Sequence, residues 1–333
     1  MRKLLLAGLV LVTLFAAAVW LIPASDSYLF LPDEAKPLAD QVMVEGEKPS
    51  PPGGIYYVEV IVRKASLLEE HLSALRPDGA DLVPEEALVP PGSTFDDRRE
   101  QNRRLMSRSQ EIAAAVALRE LGYDVVADPA GARVVAVAGD APAAGKLDPT
   151  DLIVSVDGKT VRTPADLRRL IAEHEPGESV RLGVREGDET RTVEVGTIES
   201  PDEKGRPIVG VQVEQAADIE LPLDVDIDLG NVGGPSAGLA FALDIVEELR
   251  GTADRGRKVA ATGAIELDGS VTPVGGIKQK VLGARRAGAD VFLVPAGDNA
   301  TEARRHAGDL RVIPVESFRQ ALRALATLPK KAG

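Results

Sequence analysis

Cysteine is absent from the 333-residue chain, which removes disulfides, thiolate metal sites and cysteine nucleophiles from consideration. Histidine is scarce: only His71, His174 and His306 occur, none in a metal-ligand spacing such as H-x-x-x-H, so no metal is expected. Aromatic residues make up 3% of the chain, and the core therefore has to be built from Ala, Val, Leu and Ile. Basic charge is short as well. A net charge of -13, with no Lys/Arg stripe, argues against a nucleic-acid partner, because phosphate binding needs a concentrated basic face. No G-x-x-x-x-G-K-[ST] loop occurs, which disfavours nucleotide binding and hydrolysis.

What the chain does contain suits a folded protein. Hydrophobic residues at 44% and charged residues at 27% allow a buried core, and the length allows about two domains at roughly 150 residues each. After Arg2 and Lys3 an uncharged apolar run extends from Leu4 to Ile22, close to the ~30 Å that a membrane-spanning helix covers at ~1.5 Å per residue. Secretory apolar regions are shorter, so residues 1–25 read as a retained membrane anchor, with "IPAS" as the alternative cleavage zone. Positive charge before the run and Asp26 after it place the remainder outside the cytoplasm. Residues 26–51, rich in proline and charge, read as a linker.

Beyond the linker the pattern predicts a mixed α/β (α+β) fold. A β-branched and aromatic strand is expected from Ile55 to Val62, then a proline-rich loop, then a long helix from Asp97 to Glu120 that stops at Gly122. Between Leu121 and Thr197 short strands alternate with tight turns around one helix, opened by Thr163 as N-cap and Pro164 at its first position. After Pro207 strands and helices alternate. That middle segment, "APAAGKLDPTDLIVSVDGKTV" followed by "TPADLRRLI" and a closing hairpin, resembles a PDZ domain of the bacterial protease type. The resemblance implies capture of a peptide C-terminus as an added strand, its carboxylate held by backbone N–H groups of a short loop. By position that loop is "LGYDV", making Leu121, Gly122 and Tyr123 the candidate cradle. "LGY" also reads as a glycine C-cap on the preceding helix.

The stretch "NVGGPSAGLAFALDIVEEL" places Ser236 where a glycine-rich turn becomes a helix. Leu239, Ala242, Leu243, Val246 and Leu249 share one face of that helix, so Asp244, Glu247 and Glu248 are expected to point away from it. A serine there is an N-cap, part of an anion-binding turn, or a nucleophile beside free N–H groups. A nucleophile needs a base. The histidines lie in segments that suit solvated roles, which leaves lysine. In "GGIKQKVLGARRAGA" Lys280 falls among Ile277, Ala284 and Ala287, whereas Lys278 joins Arg285 on the wet side; Leu282 breaks the pattern. With an ordinary pKa of ~10.4, roughly 0.1% of a lysine is neutral at pH 7.5. Desolvation that lowers it by about 3 units makes a workable base, at ~4 kcal/mol of folding stability.

"GGPSAG" followed about forty residues later by "GGIKQK" is similar to the proteolytic domain of Lon-type serine-lysine peptidases. The resemblance implies that Ser236 and Lys280 are catalytic, that Thr262 of "ATGA" holds the lysine, and that no cofactor is needed. The N–H groups of Ser236 and Ala237, with the turn at Gly234, are the expected oxyanion donors. Anchor, "GGIYYVEVIV" strand, "SRSQEIAAAVALRELGYDV" helix, PDZ segment and serine-lysine core together resemble the membrane-anchored, PDZ-containing Lon-like proteins of bacteria, the YlbL family. This implies a PDZ domain at 121–200 inserted into a peptidase domain made of residues 52–120 and 202–329; contiguous separate domains are the alternative.

The chain departs from ATP-dependent Lon proteins, which carry a polar or acidic residue where Gly233 stands, Glu where Ala264 stands, and a different loop before the serine. It also lacks their motor motifs, so clients are expected to be flexible or unfolded. Asp224, Asp226 and Asp228 alternate on one strand face, either orienting Lys280 or binding a cation, or facing solvent. The expected activity is therefore an ATP-independent endopeptidase outside the cytoplasm, with protein or peptide substrates, a membrane attachment and a possible homo-oligomer. The rival is an inert, membrane-tethered PDZ adaptor; a serine-lysine amidase or esterase acting on a small molecule shares the same dyad.

Overall fold

The computed structural model describes residues 25–39, 41–44, 54–88, 95–186, 189–201, 203–230, 232–251 and 253–329, with residues 3, 7–13 and 15 before them. The anchor expected over residues 1–25 lies mostly outside the described residues. Among those described, no helix is long and apolar enough to cross a membrane.

Along the chain, strands β1 (Ser27–Pro32), β2 (Ile55–Tyr57) and β3 (Val60–Lys64) precede the long helix α1 (Phe95–Glu120). Then come β4 (Val126–Val137), β5 (Leu152–Val156), α2 (Pro164–Ile171), β6 (Ser179–Glu186), β7 (Glu189–Gly196) and β8 (Val211–Glu220). The last part holds α3 (Gly238–Arg250), β9 (Val259–Ala261), α4 (Ile277–Arg286), β10 (Val291–Pro295), β11 (Arg311–Val315) and α5 (Phe318–Ala326).

Strands β2, β9, β10 and β11 form a parallel sheet, edged by the antiparallel pair Lys36–Pro37. Side chains alternate across a strand, so each strand feeds two cores. Val259, Ala261, Val291 and Leu293 pack with α1, α3 and α5 on one face. Ala260, Phe292 and Val294 pack on the other with Ile277, Val281 and Ala284 of α4. Both faces are covered, which explains why these strands read as continuous apolar runs. A separate core gathers Ile153, Leu167, Leu170, Leu182, Val184 and Val195, and its buried residues all fall between Ala132 and Val209. The first core draws on residues from both sides of that range.

Three sequence expectations need correction. Residues 26–51 are not a plain linker: β1 pairs with β3 and with Asp81–Pro84, and Leu29, Leu38, Val42 and Val44 are buried. Proline does not prevent this, because Pro37 sits on an edge strand, where a missing N–H costs no ladder bond. The strand expected over Ile55–Val62 breaks at Val58 and Glu59, where the chain leaves the parallel sheet for the three-stranded sheet of β1, β3 and Asp81–Pro84. Finally, α3 is buried all round: Asp244, Glu247 and Glu248 lie in the interior because α1 and α5 pack on the helix that the sheet already covers.

Candidate active site

Ser236 lies in a single 3-10 turn, Pro235–Ala237, that leads directly into α3. Neither cap of this turn-helix junction uses a side-chain hydrogen bond, so Ser236 is not an N-cap. The turn is pinned from three sides. Gly234 N–H donates to the carbonyl of Asn102 at 2.8 Å, Ser109 Oγ donates to the Pro235 carbonyl at 3.1 Å, and Gly263 N–H donates to the Ser236 carbonyl at 2.9 Å. Leu239 N–H is taken up by the Gly263 carbonyl. Among the described residues no backbone hydrogen bond from outside this turn and α3 engages the N–H of Ser236 or Ala237. They lie at the start of the helical unit, where N–H groups can turn towards an oxyanion. Gly234 does not share that role, because its N–H is already given to Asn102.

Lys280 is 3% exposed on α4, and burial holds its ammonium well below the ordinary value of 10.5, at about 7. Its Nζ donates to Thr262 Oγ1 at 3.2 Å, and that hydroxyl donates to the Ser236 carbonyl at 3.0 Å. Thr262 is fully buried at the end of β9, so it ties the lysine helix to the serine turn through one side chain. Lys278, two residues earlier, points elsewhere: it pairs with Asp81 at 2.6 Å, as the helical spacing requires. Ser236, Ala237 and Lys280 line one cleft of about 340 Å³ with Tyr57, Val58, Val60, Met106 and Val232. The break between β2 and β3 forms one wall and α1 another. Asn102 and Ser109, which support the turn, were not singled out from sequence, since nothing in a polar helix start distinguishes them.

The other candidates fall outside this cleft. Asp224, Asp226 and Asp228 face solvent while Val225 and Ile227 pack against the core, and Asp228 accepts the Gly230 N–H at 2.9 Å. Among the described residues no group of three or more His, Asp or Glu is arranged to hold a metal ion. His174 pairs with Asp157 at 2.9 Å in the smaller core's domain, and His71 is exposed. None of the three histidines lines the cleft.

The cradle expected at Leu121, Gly122 and Tyr123 is instead the end of α1. Gly122 adopts a φ of +91°, its N–H bonds the Arg119 carbonyl, and Tyr123 N–H bonds the Leu118 carbonyl. Leu121 packs against the larger core. The sheet of the smaller core has the order β7, β6, β5, β4, β8, with Lys159–Thr160 paired to β5 off that path, so β8 is an edge. A groove of about 370 Å³ runs along the start of β8, between Ile208, Val209, Gly210 and Val211 on one side and Leu167, Arg168 and Ile171 of α2 on the other. Further along, Arg108 of α1 donates to the carbonyls of Gln215 and Ala217, so the accessible part of the edge is short. An edge strand flanked by a helix is where an extended peptide adds. The tetrapeptide "IVGV", apolar around a glycine and just before a strand, is the sequence signal for it.

Residues 222–327 match the Lon protease (S16) C-terminal proteolytic domain, and residues 119–197 match the PDZ domain. Lon protease 1 of Sorangium cellulosum is 38% identical over 124 residues, covering 34% of this chain and 15% of that protein. Lon protease of Chloroflexus aggregans is 40% identical over 102 residues, covering 29% of this chain and 12% of its own length. The chain thus spans a small part of the length of these relatives. The PDZ domain of an SdrC-like protein from Listeria monocytogenes is 25% identical, covering 25% of this chain and 87% of that chain, with a TM-score of 0.23. The α2 wall of the groove, Leu167, Arg168 and Ile171, lies within the residues matched to the PDZ domain, and the β8 wall lies beyond them.

Proposed function

We propose that the protein is an ATP-independent serine endopeptidase in which Ser236 is the nucleophile and Lys280 the general base. The observation that carries this reading is Lys280: a lysine buried in the wall of the cleft that holds Ser236, with a pKa of about 7 and a hydroxyl to orient it. At pH 7 to 8 half or more of such a lysine is neutral, whereas an exposed lysine is almost wholly charged. Ser236 Oγ attacks the scissile carbonyl carbon as its proton passes to Nζ of Lys280. The N–H groups of Ser236 and Ala237 take the developing oxyanion. Collapse breaks the C–N bond, and the ammonium returns its proton to the leaving amine. Water, deprotonated by the again neutral lysine, then releases the acyl group and regenerates Ser236. Thr262 is a positioning residue for Lys280.

The absence of a phosphate-binding loop from the sequence supports action without ATP, and so supports flexible or unfolded clients. The distribution of the two cores supports an inserted PDZ domain, whose groove along β8 would recruit client peptides. The apolar run from Leu4 to Ile22 supports attachment to the membrane with both domains outside the cytoplasm. A serine-directed reagent such as a fluorophosphonate is expected to add once to the full chain, at Ser236, by intact mass and peptide mapping. The adduct should be absent from Ser236→Ala and from Lys280→Ala. No adduct on the native chain would leave the inert adaptor as the better reading.

A further inference from the structure

The cleft does not end at the serine. Past Val60 and Gly233 it opens into a second arm of about 410 Å³, lined by Phe30, Val60, Val62, Leu88, Asn102, Gly233 and three arginines of α1, Arg98, Arg99 and Arg103. Phe30, Val60, Asn102 and Gly233 border both compartments, so the two are one continuous trough. Its floor follows β3. Among the described residues that strand pairs only with β1, and Val60 and Val62 project from the same face of it, because side chains alternate. A polypeptide laid along this edge from Ser236 advances towards the arginines at ~3.3 Å per residue.

The charge of the arm is out of keeping with the molecule. The chain carries a net charge of -13, yet the described residues lining this arm include Arg98 and Arg103, beside an Arg99 that is engaged elsewhere, and no carboxylate. Arg98 is partly buried, and its guanidinium donates to the Leu88 carbonyl. Burial lowers its pKa. Partial burial of a cation without an anion is unfavourable, and a carboxylate arriving in the arm offsets that cost. Guanidinium is well matched to carboxylate, which it can bind through two parallel N–H groups.

We propose that this arm is a specificity subsite for an acidic side chain of the extended substrate polypeptide, held by Arg98 and Arg103. It rests on the peptidase reading for the substrate's identity, while its geometry is independent of whether Ser236 is acylated. The carboxylate occupies the arm a few residues from the bond at Ser236, and the neighbouring apolar side chains lie against Val60, Val62 and Phe30.

The test uses the full chain with Ser236→Ala and fluorescent peptides matched except for Glu, Gln or Lys at positions two to four from a central apolar residue. Anisotropy should show the best Glu peptide binding about tenfold tighter than its Lys counterpart, a gap that narrows in about 0.5 M salt. Arg103→Glu and, separately, Arg98→Gln should bring that ratio to one or invert it. Arg103 is exposed, so its variant stays informative if Arg98→Gln unfolds; thermal melting reports which has happened. Equal binding of Glu and Lys peptides, no peptide binding, or a ratio unmoved by Arg103→Glu in a folded chain would overturn the proposal. With Ser236 intact, kcat/KM should follow the same order. If binding discriminates as described but no acyl adduct forms, the peptidase reading fails and the subsite stands.

Discussion

Lys280 and Asp244 lie on helices that cover opposite faces of the parallel sheet, and burial drives both towards their neutral forms. Lys280 is brought down to about 7; Asp244, 1% exposed, is pushed up to about 8 by burial and then by Glu248, Glu247 and Asp254. Their surroundings differ. Lys280 opens onto a cleft, has a hydroxyl partner and shares its wall with a serine. Asp244 does not line that cleft, and among the described residues neither of its oxygens finds a hydrogen-bond partner. A displaced pKa therefore marks desolvation in both places, and only the arrangement of neighbours turns it into chemistry.

The sharpest way to break this contrast is to neutralise each group in turn. Lys280→Ala is expected to lower acylation of Ser236 by about 10³-fold or more, and Asp244→Asn to leave it within about threefold. Acylation in the native chain should rise with pH through a midpoint near 7, since the neutral lysine is the active form. A profile that moves with Asp244→Asn would put this carboxylate into the site after all.

Stability offers the next largest effect, and the two groups act in opposite directions. The folded state keeps the Asp244 proton above the ordinary value of 3.8 and up to about 8, so stability falls as pH rises through that window. At ~1.4 kcal/mol per pH unit the loss is at most roughly 6 kcal/mol. Lys280 is lowered from 10.5 to about 7, so the unfolded chain holds the extra proton between those values and stability rises across them. Asp244→Asn should therefore melt at a higher temperature than the native chain at pH 8 and close to it at pH 4. Denaturant titrations at the two pH values check both signs.

A smaller effect is expected at Thr262, which touches lysine and serine turn at once. Thr262→Val should cost about 10- to 100-fold in acylation and displace the pH midpoint, because Lys280 loses its only described partner. Thr262→Ser should restore both. A Val variant with a lower rate but an unmoved midpoint would reduce Thr262 to packing.

The two regions were unequally legible in the sequence. Ser236 stood out through its glycine-rich turn before a helix and Lys280 through its place among Ile277, Ala284 and Ala287, although Leu282 breaks that face; the spacing of GGPSAG and GGIKQK joined them. The same periodicity failed on α3. Leu239, Ala242, Leu243, Val246 and Leu249 read as the one buried stripe, and nothing local disclosed that two further helices cover the acidic side. β1 was hidden because it lies in a segment dense in proline and charge, where Pro32 ends the strand and Pro37 sits on an edge. The arms of the cleft were illegible for another reason: Val60, Arg98 and Gly233 are far apart in sequence and meet only through the turn of the chain at Val58 and Glu59.

The peptide groove provides the finest comparison, between two glycines. Gly210 has a φ of +79°, and a Cβ there would approach that of Ala141 to 2.0 Å, so Gly210→Ala should displace the loop before β8 and weaken peptide binding. Gly122 has a φ of +91° with nothing within 4 Å of an added Cβ, so only its backbone conformation opposes substitution. Gly122→Ala is expected to cost about 1 kcal/mol of stability as a lost C-cap, with C-terminal peptide affinity unchanged by fluorescence anisotropy. If Gly122→Ala instead abolishes peptide binding in a folded chain while Gly210→Ala spares it, the cradle returns to the end of α1 and the groove along β8 loses its assignment.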